Sequence, residues 1–180
     1  MNNWLYQKGS GVWMSYWIMV FTKIHLGRFS EDEVLSAITT SNFNTLCDQY
    51  GLDPALIQPT VDCLAVELAA KSLQPLFALR YQPKHQPPIV VTEWAVREPV
   101  GAQLMADVMA RFPPPIDHEN LEQIRFVYSV ELVDSQLSDL GLLLGYELAR
   151  WIADRGAGLV LGLDRTWYRL NAFQAFIPFS

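Results

Sequence analysis

The sequence predicts an α+β protein: a two-layer sandwich whose mixed sheet of about five strands carries helices mainly on one face, preceded by a helical N-terminal region. Three observations lead there. Capping signals crowd the first 73 residues, whereas residues 74–180 read in the order strand, strand, helix, strand, helix, strand, strand. Hydrophobic residues make up 51% of the 180 and charged residues only 18%, enough apolar material for a large core and too little charge for disorder. Crossover segments between strands usually lie on the faces of a sheet. The two regions together make one compact unit.

The first element is ambiguous. The apolar run from Val12 to Leu26 has strand-like Trp, Tyr, Val, Ile and Phe. It ends, however, with Lys23, His25 and Gly27, as a helix does, so residues 12–26 are assigned to helix. Ser30 then opens a helix as its N-cap, with Glu33 as capping-box partner and an apolar face of Val34, Leu35 and Ile38. "NFNTLCDQYG" adds a helical turn ended by Gly51. Asp53 and Pro54 start another helix. Pro59 kinks or restarts it, and Val61, Leu64, Ala65 and Leu68 continue at helical spacing.

"LFALRYQ" and "PPIVVTEWAV" are strands joined by the proline-rich "PKHQPP". Pro99 begins a helix with Leu104, Met105, Val108 and Phe112 on one face, stopped by "PPP" at Pro113. In "IRFVYSVELV" Ile124, Phe126, Tyr128, Val130 and Leu132 share one side of a strand. Ser135 to Asp154 is a helix with a stripe of Leu137, Leu140, Leu144, Leu148 and Trp151. Its Gly141, Gly145, Ala149 and Ala153 recur every four residues, a small-residue ridge for close packing on the sheet. "GAGLVLGLDRTWYRL" reads as a helix stop with unusual dihedrals at Gly156 and Gly158, a buried strand, a turn at Asp164-Arg165 and a return strand.

Composition narrows the function. The net charge of −6 and the scatter of 13 Lys and Arg along the chain argue against nucleic acid. The apolar run Gly11–Phe21 is about half the ~20 residues of a membrane span, which argues against an anchor. Cys47 and Cys63 suggest no disulfide framework, so a cytoplasmic protein is expected. "GSG" at Gly9 to Gly11 is a flexible joint.

Few residues offer chemistry. His25, His85 and His118 lack ligand spacing, and no metal or cofactor is expected. Asp117 is the N-cap of "HENLEQI" rather than a ligand beside His118 and Glu119. Catalytic candidates are confined to Glu93 and Glu131, whose strands would have to be neighbours for an acid–base pair to form, and Asp164. Trp94, Tyr128, Trp167 and Tyr168 are candidates to line a ligand pocket. The reading that follows is a non-enzymatic binding protein acting on a protein partner or on itself. The alternatives are a small carboxylate-dependent hydrolase and a small-molecule sensor with an aromatic pocket. The apolar ends "WMSYWIMVF" and "AFQAFIPFS" both need cover, and a homodimer is the simplest.

Overall fold

A computed structural model describes residues 6–7, 12–39, 47–48, 51–69, 75–81, 86–115, 118–137 and 139–179. The expectations for Gly9, Gly11, His85 and Asp117, and for most of "NFNTLCDQYG", lie outside these residues. So do the side chains of His118 and Glu119.

Tyr6–Gln7 (β1) and Val12–Trp13 (β2) form a short antiparallel ribbon. The main sheet has eight strands: Ser15–Thr22 (β3), Ala65–Leu68 (β4), Phe77–Arg80 (β5), Ile89–Ala95 (β6), Phe126–Val133 (β7), Leu159–Leu161 (β8), Trp167–Leu170 (β9) and Phe176–Pro178 (β10). Their order is β10-β9-β8-β3-β7-β6-β5-β4, and every neighbouring pair is antiparallel. The expectations of a mixed sheet and of about five strands are therefore corrected. The helices are Glu31–Thr39 (α1), Pro54–Val61 (α2), Pro99–Arg111 (α3), His118–Glu122 (α4) and Asp139–Gly156 (α5).

Most of the added strands come from the N-terminal region. Residues 15–22 are the strand at the centre of the sheet, not a helix. Ile18 and Val20 point into one core and Met19 and Phe21 into the other, all buried. A strand covered on both faces shows a continuous apolar run instead of alternation. Gly27, read as a helix stop, supplies a positive φ of 72° in the following loop. Ala65–Leu68, expected as helix, is the edge strand β4.

The N-caps at Ser30 and Asp53 are borne out, while the Glu33 side chain, expected to complete a capping box, pairs with Arg155 instead. Ser30 Oγ accepts from the Glu33 amide (3.1 Å), and Asp53 Oδ1 from the Ala55 amide (2.9 Å). Trp151 is buried against Phe29 and Phe77. The glycine ridge of α5 does sit on the sheet: a Cβ at Gly145 would lie 3.1 Å from Leu132 Cδ1.

Helices cover both faces, which overturns the two-layer, one-face expectation. α1 and α5 pack with Ile18, Val20, Val130 and Leu132 in the larger core. Leu104, Met105, Val108 and Met109 of α3, with Leu121 of α4, pack with Met19, Phe21 and Val127 on the other side. The stop after α5 is also corrected. Ala157, not either glycine, takes the left-handed backbone (φ 50°), while the Gly158 amide bonds the Ala153 carbonyl at 2.8 Å. The flanking glycines are needed for proximity: a Cβ would fall 2.5 Å from Thr22 Cγ2 at Gly156 and 2.8 Å from the Phe21 carbonyl at Gly158.

The first apolar end is largely covered as β3, whereas the last pairs with β9 as β10 but leaves Phe176, Ile177 and Phe179 half-buried and Phe173 84% exposed. The first end therefore needs no second copy to cover it. The Phe179 amide reaches the Trp167 carbonyl, so Pro178 stands where β10 would otherwise present an outward N–H, a common protection of sheet edges. No helix among the described residues is long and apolar enough to cross a membrane.

Candidate functional site

Antiparallel pairing decides where the carboxylates go. Glu93 is opposite Tyr128 in the β6–β7 register, and Glu131 is opposite Val90, three residues from Glu93 on β6. An odd offset puts the two acids on opposite faces of the sheet. Their strands are neighbours, as the acid–base idea required, yet the side chains do not converge. Glu131 accepts instead from Ser15 Oγ at 2.6 Å.

Glu93 belongs to a small polar network on the α5 face. Its Oε2 lies 3.1 Å from His25 Nε2, and Tyr128 hydrogen-bonds to the same carboxylate. Burial first, then the bond and charge of Glu93, hold the Tyr128 phenol far above its ordinary value. The Tyr128 oxygen accepts from the Leu26 amide at 3.3 Å, and His25 Nδ1 from the Gly27 amide at 2.9 Å. An acceptor Nδ1 puts the proton of the neutral ring on Nε2, facing Glu93. Both nitrogens are then engaged and neither is available as a base. The network fastens the loop after β3, whose far side Arg155 holds through the Leu26 and Arg28 carbonyls and Glu33.

Asp164 sits in the β8–β9 hairpin, where the Arg165 amide bonds the Gly162 carbonyl and the Gly162 amide bonds the Thr166 carbonyl. Its carboxylate accepts from the Thr166 amide (3.1 Å) and the Tyr168 hydroxyl (2.6 Å). Burial pushes this acid up, but the bonds from Tyr168 and Thr166 outweigh it and hold it below the usual aspartate range. Burial and Asp164 in turn push the Tyr168 phenol up to about 12. The arrangement is that of a turn residue.

The four aromatic candidates divide two and two. Tyr128 and Tyr168 face α5, whereas Trp94 and Trp167 face α3. They line no common pocket. Among the described residues, no group of three or more His, Cys, Asp or Glu is placed to hold a metal ion.

What the fold does assemble is the α3 face. Around buried Met19, Phe21, Val127 and Trp167 lies a wider ring of half-buried Trp17, Trp94, Met105, Met109, Phe112 and Phe179. At the β9 end, Trp167 Nε1 donates to the Phe112 carbonyl (3.0 Å) and the Trp167 ring lies 5.0 Å from that of Phe21. Arg165 stacks over Phe112 (5.8 Å) and Arg169 over Phe179 (5.5 Å). These arginines are inconspicuous in the sequence because their charge is diluted along the chain. A signal was there: in "RTWYR" Trp167 and Arg169 share one side of a strand, and a second arginine stands in the turn before them.

No protein-family model matches the chain, and neither a curated protein nor a solved structure matches it.

Proposed function

We propose that the protein acts by binding another protein through the α3 face of its sheet, without catalysis. One observation carries this reading: the half-buried Trp17, Trp94, Met105 and Met109 are gathered in a single apolar layer that α3 covers incompletely. Only Gly101 of that helix is fully buried. Trp, Met, Phe and Arg are the residues enriched in protein interfaces, and Met adapts to irregular partners. Carboxylates separated by the sheet and aromatics split between its faces weigh against the hydrolase and sensor readings. The free cysteines, Cys47 buried and Cys63 exposed, suit a reducing compartment, so the proposal places this binding in the cytoplasm.

The test compares the whole protein with Met105→Glu in affinity capture from its native cell, with thermal melts to show an unchanged fold. A partner retained by the parent and lost by the variant is expected. Equal retention by both, or no retained protein, removes the reading. Light scattering on the same samples assigns the partner: a mass near 20.5 kDa for the isolated protein means a different chain, and twice that a second copy.

A further inference from the structure

The geometry points to the β9 end of this face, around Arg165, Arg169 and Arg111, as a site for an acidic polypeptide segment. The inference rests on the α3 face being the binding surface, and it names the chemistry of what binds there.

The protein as a whole is acidic, at −6. Its other well-placed arginines have carboxylates of their own: Arg80 with Glu67, Arg150 with Glu147, Arg155 with Glu33. Arg165, Arg169 and Arg111 differ. All three are exposed, and among the described residues none has a carboxylate partner or donates a side-chain hydrogen bond. The acids near them in sequence are engaged elsewhere. Asp164 accepts from Tyr168 and Thr166, and Asp107 from Gln103 Nε2 at 2.8 Å.

Arg165 and Arg169 are held by rings rather than by acids. The Arg165 guanidinium lies 5.8 Å from the Phe112 ring and that of Arg169 5.5 Å from the Phe179 ring, and both residues are exposed, so their N–H groups are open to a ligand. The guanidinium edge is the fork that grips a carboxylate through two parallel hydrogen bonds. Arg111, in the last turn of α3, comes one residue before Phe112 and adds a third exposed positive residue to this end of the face.

The backbone adds a separate observation. Arg165 has φ 65°, in the left-handed region that favours Gly or Asn. A hairpin that needed only its turn would be better served by either.

Spacing selects the ligand. Arg165, in the turn, and Arg169, on β9, are four residues apart in sequence, a span of at most about 13 Å. An extended segment with acidic residues four apart reaches both, and an apolar residue between them meets Phe112 and Phe179. A polynucleotide fits less well, because its affinity grows with the number of phosphates neutralised and only three arginines are gathered here.

The experiment is fluorescence anisotropy on the full chain at low salt. The probe is a short labelled peptide with glutamates four apart and phenylalanine between. Saturable binding is expected, weakened about tenfold or more in Arg165→Asn/Arg169→Gln and again when the peptide glutamates become glutamine. Asn tolerates the left-handed backbone, and a thermal melt verifies the fold. The pair Arg165→Lys/Arg169→Lys keeps charge without the fork and should fall between parent and neutral variant. Binding that ignores the arginines but is lost in Met105→Glu overturns this inference and leaves the face reading standing. Binding indifferent to all of these changes, or absent, overturns the inference on its own terms. A single-stranded DNA probe that binds more tightly than the peptide, with the same arginine dependence, replaces acidic polypeptide with nucleic acid and also overturns it.

Discussion

One sheet supports two unlike faces. On the α5 side, Ile18, Val20, Tyr128, Val130 and Leu132 are fully buried beneath Leu144, Leu148 and Ile152, and Gly145 lets the helix backbone press close. On the α3 side, the half-buried apolar residues outnumber the buried ones among the described residues, and α3 contributes mostly incompletely covered side chains. The strands are the same, so the difference lies in the helices. A helix with leucines and small residues on one stripe seals its face. A short-stemmed helix of Leu, Met and Val, stopped by prolines, leaves large groups at the surface. Stability and contact with other molecules are thereby assigned to opposite sides of the same strands.

The largest expected effect tests the sealed face. Trp151→Ala should cost about 3–5 kcal/mol in denaturant unfolding, because it empties the space beside Phe29 and Phe77. Trp94→Ala on the open face should cost only about 1–2 kcal/mol, since a half-buried ring gives up less area. Equal losses from the two tryptophans would erase the contrast. A smaller effect, of opposite sign, is expected where α5 turns into β8. Ala157→Gly should stabilise by about 0.5–1 kcal/mol, as the left-handed φ is strained for alanine; a lower melting temperature would refute this.

The smallest effect concerns Asp164 and pH. Its folded value lies below its unfolded one, so the stability it adds is complete above about 3.9 and is lost as pH falls through the folded value. The residue is exposed and solvent screens the effect, so Asp164→Asn should change neutral stability by only a few tenths of a kcal/mol. It should also flatten the acid limb of the stability curve. A steeper limb in the variant would count against the bonds from Tyr168 and Thr166.

What could be read in advance followed from short-range chemistry. Ser30 and Asp53 bond amides two or three residues away, and their helices begin where such caps require. The Phe126, Tyr128, Val130 and Leu132 face of β7, the stripe of α5 and the Asp164 turn are equally local, although Ile124, read with that face, precedes the strand and packs in the opposite core. The N-terminal strand was misread because Lys23, His25 and Gly27 imitate a helix terminus, whereas each serves the loop: Lys23 bonds Asn120 and Gln123, and His25 bonds Glu93. β4 was missed since Val66 alone of its residues is buried, too little to mark a period. The site was harder still. Arg111 and Arg165 are distant in sequence, and only the packing of α3 against β9 brings them to one end of the face.

The place of β3 also sets the order of events during synthesis. Ser15 pairs with Val133 and Met19 with Leu161, so the most central strand emerges from the ribosome long before either neighbour exists. Closure of contacts so distant in sequence is slow, and the waiting strand is apolar on both sides. A chain halted before β7 has the middle of its sheet and nothing to lay against it. Nascent molecules of this protein are therefore expected to need holding, by chaperone or by ribosome, until nearly the last strand is made.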